Sequence, residues 1–328
     1  MPHVVAAPDK FRGTASASEV AAAIAAAAGA AGWTCDLAPV ADGGEGLLEV
    51  LGGTPKRTTV TGPLGAPVAA EWHMRDGTAV IEMARASGLL LAGGPEGNDP
   101  LRASTAGTGE LIVAALEAGA RRIVVGVGGS ATTDGGLAAL RAVQSKGRLA
   151  GVELVVACDV TTSFVDAAAT YGPQKGATDA QVALLARRLE RLAQVYVEDF
   201  GVDVRDLEGG GAAGGLAGGL AALGATLVPG FDLVADLIDL EDRLEGADLV
   251  VTGEGFVDEQ SFQGKVVGGV LELADGAGVP AVVVAGELLV PVPPPARAVS
   301  LVERFGQDRA MIDTVACVRE VVAPFLVT

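Results

Sequence analysis

Ala247-Asp-Leu-Val-Val-Thr-Gly-Glu-Gly-Phe-Val-Asp-Glu-Gln-Ser-Phe-Gln-Gly-Lys265 decides the fold. Its apolar run, Leu249-Val-Val251, reads as a strand buried on both faces, as in a parallel sheet. The run stops at a predicted loop that holds Glu254, Asp258, Gln260 and Lys265 between glycines. In open α/β sheets the loops at the carboxyl ends of the strands face the ligand crevice, so charged groups collected there are placed for chemistry. The same grammar recurs at Ala6-Ala-Pro-Asp-Lys-Phe-Arg-Gly13, Ala38-Pro-Val-Ala-Asp-Gly-Gly-Glu-Gly46, Val125-Gly-Val-Gly-Gly-Ser-Ala-Thr-Thr-Asp-Gly-Gly136 and Val156-Ala-Cys-Asp-Val160. Five such edges predict one shared site.

Working outward, residues 3 to 8 form a predicted strand, and Ser16-Ala-Ser-Glu19 fits a capping box that opens an Ala-rich helix. A second strand is expected over 34 to 40, and then a helix through Leu47 and Val50. From Lys56 to Ile81 the rhythm changes to short β-rich runs broken by Gly62-Pro63, Gly65 and Asp76-Gly77, which is hairpin grammar. Ala180 to Phe200 has the pattern of a long amphipathic helix. Plain α/β alternation returns from Asp248, with strands at 249–251, 281–284 and 299–302. Two strands before residue 55 and three after 248 make one doubly wound parallel sheet from the two ends of the chain. The expected domains are therefore 1–56 with 240–328, and 57–239 inserted between them. Two consecutive domains are the rival arrangement.

Composition excludes several classes. The chain of 328 residues exceeds what one core usually serves, so two domains are expected. A formal charge of −18 opposes nucleic acid, whose phosphates need clustered Lys and Arg. No apolar run is long enough for a spanning helix, and Asp9 and Lys10 arrive too early for a secretory leader, so a cytoplasmic protein without a membrane partner is expected. A homodimer follows from base rates alone. Cys35, Cys158 and Cys317 show no metal-ligand spacing, and Cys158 reads as a packed thiol rather than a nucleophile.

The loops carry the chemistry. No Gly-x-x-x-x-Gly-Lys-Ser/Thr loop is present, and the two glycine runs that can be forced onto a dinucleotide fingerprint lack its context. Lys10, Arg12, Lys175 and Lys265 offer local cations for an anionic ligand, the plain alternative for each being a solvated surface charge. Gly128-Gly-Ser130 and Gly214-Gly215 can bring backbone amides to phosphate oxygens, or simply allow tight turns and close packing. Asp9, Asp42, Glu45, Asp134, Asp159, Glu254 and Asp258 are more carboxylates than one crevice tolerates without a cation, and nucleotide-borne magnesium would supply it. Singly, each acid reads as a cap or turn residue. Together these are the parts of a kinase acting on a small hydroxyl compound.

The motifs resemble those of the glycerate kinase family. Asp9-Lys-Phe-Arg-Gly-Thr14, Pro39-Val-Ala-Asp-Gly-Gly-Glu-Gly46, Gly107-Thr-Gly-Glu-Leu-Ile112, Gly128-Gly-Ser-Ala-Thr-Thr-Asp-Gly-Gly136, Ala157-Cys-Asp-Val160, Tyr171-Gly-Pro-Gln-Lys-Gly-Ala177, Ala213-Gly-Gly-Leu216 and Thr252-Gly-Glu-Gly255 through Gly264-Lys265 stand in the family's order. The resemblance implies a flavodoxin-like domain with a mixed α/β domain inserted, and an active site in the cleft between them. It implies transfer of the γ-phosphoryl of ATP, with Mg2+, to D-glycerate, giving 2- or 3-phosphoglycerate. On that reading Asp159 accepts the hydroxyl proton, and Lys10 and Lys265 share the catalytic work. Asp9, Arg12, Asp42, Glu45, Glu254 and Asp258 hold substrate, and Asp42 and Asp258 also hold the metal. Gly128, Gly129, Ser130, Lys175, Gly214 and Gly215 meet the nucleotide phosphates.

The chain departs from the family pattern in places. Arg12 replaces a usual lysine, Phe256 a frequent arginine and Val267 a common proline. The segments 141–151 and 161–170 are shortened. These departures motivate the alternative of a non-catalytic or substrate-shifted paralogue that binds a small hydroxy acid or nucleotide. A dinucleotide-dependent oxidoreductase rests only on the weak glycine fingerprints.

Overall fold

A computed structural model describes the chain except Arg12, Gly147, Arg148, Ala150, Gln263 and Thr328, with Lys146 described by its backbone alone. Among the described residues the strands are β1 (His3–Ala6), β2 (Thr34–Leu37), β3 (Thr54–Thr61), β4 (Pro67–Arg75), β5 (Thr78–Glu82), β6 (Arg122–Gly126), β7 (Glu153–Ala157), β8 (Thr226–Val228), β9 (Leu249–Val257), β10 (Ala281–Leu288) and β11 (Arg297–Ser300). Two compact units result. The first comprises Met1–Asp42, Glu49–Leu51 and Phe231–Thr328, the second Gly43–Leu48 and Gly52–Gly230.

In the first unit the sheet order is β2-β1-β9-β10-β11, all parallel. Counted along that unit, this is 2-1-3-4-5, the flavodoxin-like doubly wound order whose switch point lies between β1 and β9. The three central strands dictate the layers, because the runs Val4–Ala6, Leu249–Val251 and Val282–Ala285 are buried on both faces. Val282 and Val284 point with Val4, Ala6, Leu249 and Val251 toward the helices Ala17–Ala30 and Thr314–Val322. Val283 and Ala285 point the other way, toward Val267 and Leu271 of the helix Val266–Ala277. Ser16 and Glu19 form the expected capping box.

Several strand boundaries differ from the sequence reading: β1 and β2 end early, at Ala6 and Leu37, β10 runs on to Leu288, and two others have a clear local cause. The run at Leu249 does not end at Val251: β9 continues to Val257 and pairs Glu254 with Ala285 and Phe256 with Glu287. Gly253 is the reason, since a Cβ there would stand 1.8 Å from the carbonyl oxygen of Val284. Without a side chain, β9 stays hydrogen-bonded through a glycine stretch that reads as loop. The last strand ends at Ser300, whose hydroxyl accepts from the Glu303 amide and starts the helix Leu301–Phe305.

The second unit holds a six-stranded mixed sheet, β3-β4-β5-β6-β7-β8. β3, β4 and β5 are antiparallel, as the hairpin grammar predicts, and β5 through β8 are parallel. Asp76 (φ 50) and Gly77 (φ 85) make the tight turn between β4 and β5, two positive φ values in succession being the mark of a type I′ turn. The helices Ala106–Glu117 and Ala212–Ala222 bury Leu111, Ile112, Leu216 and Leu220 against Ile123, Val125 and Val156. Among the described residues no helix is long and apolar enough to cross a membrane.

Candidate active site

At the carboxyl edge of the first sheet, the Ala7 and Asp9 amides donate to the carbonyls of Val251 and Gly253, at 2.9 and 2.8 Å. The Thr252 hydroxyl donates to the Ala7 carbonyl at 2.7 Å. These bonds prolong the β1–β9 pairing and fix Asp9 in a buried position. Lys10 Nζ then lies 3.7 Å from Asp9 Oδ1 and 3.8 Å from Asp42 Oδ1. Burial pushes the Asp9 carboxyl up to about 7, with Lys10 opposing and Asp42 and Glu254 adding to the rise. Glu254 is also raised, by burial and by the charges of Asp258 and Asp42, against Ser261 and Lys265. Its Oε1 is buried with no partner among the described residues.

Asp258 Oδ1 accepts from the amides of Gln260 and Ser261 and starts the short helix Glu259–Phe262. Lys265, just ahead of the helix Val266–Ala277, donates to Gln260 Oε1 at 3.4 Å. Asp9, Lys10, Asp42, Glu254, Asp258 and Lys265 thus share one edge, while Arg12 lies outside the described residues. Among the described residues no three His, Cys, Asp or Glu side chains form a metal cage. Four carboxylates set against two ammonium groups fit a different arrangement. Magnesium that arrives with phosphate and water oxygens needs only one or two protein carboxylates.

In the second unit, residues 43–48 lie on the carboxyl edge of the parallel strands. Buried Glu82, the last residue of β5, accepts from the Gly46 and Leu48 amides at 2.9 and 3.2 Å and from Arg85 Nε at 2.9 Å. A Cβ on Gly43 would stand 2.8 Å from Ala157 Cβ and from Gly230 Cα; one on Gly128 would stand 2.9 Å from Gly44 Cα. This close approach brings Glu45, Gly128, Gly129, Ser130 and the residues after β7 to one edge. Asp159 is held there by its Oδ1, which accepts from the Gly230 amide at 2.6 Å. Glu82 and Arg85 were not among the sequence candidates. Their signal was an acid at a strand end followed three residues later by an arginine, and Glu82 fell just past the Ile81 limit of the hairpin reading.

The glycines and lysine predicted to meet phosphate flank the segment 131–133. Ala213, Gly214 and Gly215 are three successive residues with positive φ, at 52, 67 and 89°. A Cβ on Gly214 would stand 1.9 Å from the Thr132 carbonyl oxygen, so this turn packs directly against that backbone. Lys175 is buried, and its Nζ donates to the same carbonyl at 2.7 Å. The Cys158 thiol donates to the carbonyls of Val160 and Gly209, and burial pushes it up to about 11, which removes it as a nucleophile near neutral pH.

Burial lowers the Lys175 ammonium from 10.5 to about 7, with the Asp134 charge opposing. Between those values the unfolded chain binds a proton that the folded chain lacks, so this group makes stability rise with pH. Below about 7 both states are protonated and the native state bears the whole cost of the buried charge. The melting temperature of the wild type is expected to gain on that of Lys175→Met as pH is raised from 7 to 10, and to run parallel to it from 5 to 6.5. Differential scanning fluorimetry across that range checks it, and a constant difference contradicts it.

A sequence profile of the glycerate kinase family matches residues 4–146 and 143–303. Glycerate 2-kinase of Escherichia coli (strain K12) is 40% identical over 325 residues, covering 87% of this chain and 85% of that protein. Glycerate kinase of Bacillus subtilis (strain 168) shows the same identity and the same coverage of 87% and 85%. A crystal structure from Salmonella typhimurium LT2 assigned to glycerate kinase 2 matches with a TM-score of 0.86 at 35% identity, covering 99% of this chain and 97% of that one. With the family profile, the sequence identities and the structural match in agreement over most of its length, the chain belongs to the glycerate kinase family.

Proposed function

We propose that the protein is a kinase that moves the γ-phosphoryl group of ATP to a hydroxyl of D-glycerate, forming 2- or 3-phosphoglycerate. The observation that carries this reading is the pairing of Lys10 with both Asp9 and Asp42 on an edge where carboxylates outnumber cations. Such an edge suits a small polar acid arriving with a metal-bound phosphate chain. Lys10 and Lys265, with Arg12, hold the glycerate carboxylate and phosphate oxygens. Asp9, Glu45 and Glu254 accept hydrogen bonds from substrate hydroxyls. Asp42 and Asp258 would hold magnesium, which supplies charge neutralisation on the phosphates when bound.

The reading draws on both units. Asp159 takes the proton of the attacking hydroxyl; the glycerate oxygen bonds to the γ-phosphorus, the bond from that phosphorus to the bridging oxygen breaks, and ADP leaves with the electron pair. Amides of Gly128, Gly129, Ser130, Gly214 and Gly215 face the phosphates, and a phosphate beside Lys175 favours its charged form. Phosphorus NMR of the product mixture tests the assignment. A new phosphomonoester signal is expected only when ATP, magnesium and D-glycerate are all present, and its coupling pattern identifies the carbon. An unchanged ATP spectrum over folded protein overturns the reading.

One observation favours a shifted substrate. Phe256, where the family often has arginine, is 54% exposed two residues beyond Glu254 on β9. On this second reading the enzyme prefers a hydroxy acid with an apolar substituent, and such acids outcompete D-glycerate as acceptors.

A further inference from the structure

The second unit contains a cavity of about 470 Å³, inside the roughly 300–1,000 Å³ range of small-molecule sites. One wall comes from the helix Asp179–Phe200, which presents Leu185, Leu189 and Leu192 along a single stripe. That stripe is apolar.

Thr133 also lines the cavity. The residue is only 2% exposed, and its Oγ1 has no hydrogen-bond partner among the described residues. A buried hydroxyl without a partner is a costly arrangement that a ligand atom would relieve. The Asp134 carboxylate beside it is already engaged, accepting from the Thr105 amide and hydroxyl at 2.9 and 2.8 Å and from the Gly136 amide at 3.1 Å. Thr133 is therefore the open polar contact.

The same helix lines the cavity with three exposed arginines in five residues, Arg187, Arg188 and Arg191. Arg188 donates to the Leu101 carbonyl, and Arg191 to Gln194 and Glu198; Arg187 has no partner among the described residues. In a chain of net charge −18, such a group of guanidiniums beside an apolar cavity marks a place for an anion. Guanidinium forks match phosphate oxygens in particular.

We propose that this cavity binds a purine nucleotide. The base enters along Leu185, Leu189 and Leu192, its edge exchanges a hydrogen bond with the Thr133 hydroxyl, and the phosphates meet Arg187 and Arg191. A hydroxyl both donates and accepts, which suits a heterocycle edge that carries both kinds of group. The bound nucleotide is either a second, regulatory molecule or the phosphoryl donor itself, in which case Arg187 and Arg191 replace the Gly128–Ser130 and Gly214–Gly215 amides and Lys175 as its phosphate partners. The donor case rests on the kinase reading above; binding itself does not.

The experiment titrates wild type, Thr133→Val and the double variant Arg187→Glu/Arg191→Glu with a fluorescent N-methylanthraniloyl ATP, after circular dichroism has verified each fold. Affinity is expected to fall about tenfold or more in the double variant and several-fold in Thr133→Val, in line with lost charge-assisted and neutral hydrogen bonds. If the KM for ATP rises in parallel while the KM for D-glycerate does not, the cavity holds the donor. If one equivalent of nucleotide is lost with the KM for ATP unchanged, it is a separate site. Wild-type affinity and stoichiometry in both folded variants overturns the proposal. A wild type that binds nucleotide without turnover sinks the kinase reading and leaves the cavity assignment standing.

Discussion

Asp159→Asn is expected to lower kcat by about 10²-fold or more, the usual worth of a general base, while the protein stays folded. The geometry makes this a clean substitution. Asp159 Oδ1 accepts from the Gly230 amide at 2.6 Å, and the carbonyl oxygen of an asparagine side chain can accept the same bond. What asparagine cannot do is take up a proton from an attacking hydroxyl. The expected signature is therefore a fall in kcat with the KM for ATP and the melting temperature close to wild type, read from initial rates and thermal unfolding. Turnover within a few-fold of wild type would remove Asp159 from the base role.

Gly214→Ala is expected to be among the most destabilising single substitutions in the second unit. A Cβ there would stand 1.9 Å from the Thr132 carbonyl oxygen and 2.7 Å from Thr133 Cα, and both atoms are backbone. Gly214 also has φ +67, a conformation that costs an L-residue about 1–2 kcal/mol. Adding the ~1–3 kcal/mol of a forced core overlap gives about 2–5 kcal/mol, a large part of the roughly 5–15 kcal/mol that holds a domain folded. Gly224→Ala is the control, because Gly224 has φ +94 with nothing within 4 Å of the added Cβ, and so carries backbone strain alone. Urea unfolding of the two variants separates the collision from the strain. A Gly214→Ala protein no less stable than Gly224→Ala contradicts the packing described for the 213–215 turn.

Much of this architecture is legible in the sequence where local chemistry and global fold agree. The strands at Val4, Val250 and Val283 are buried on both faces, and their unbroken apolar runs say so. Ser16 with Glu19 and Asp76 with Gly77 mark a helix start and a hairpin turn through side-chain and backbone preferences that need no tertiary help. The reading fails where tertiary contact overrides the local signal. Gly253 reads as the start of a loop, yet its lack of a side chain is what lets β9 run on beside Val284 and carry Glu254 on a strand.

The edge residues Asp9, Asp42, Glu45, Asp159 and Lys265 are recognisable because glycine-rich turns follow apolar strands. Glu82 is harder to find, since its one local mark is Arg85 three residues on, and the Gly46 and Leu48 amides it accepts from lie far back in the chain. The cavity beside Thr133 is illegible for the same reason. Its lining comes from residues near 100, 135 and 190, and only the folded chain brings a buried hydroxyl, a leucine stripe and three arginines together.

The central claim is phosphoryl transfer to D-glycerate, and its most direct measurement is coupled ADP release from ATP and magnesium with and without D-glycerate. The account predicts release that depends on D-glycerate and saturates with it. Release at the same rate without any acceptor, or none at all from folded protein that binds both compounds, would contradict it.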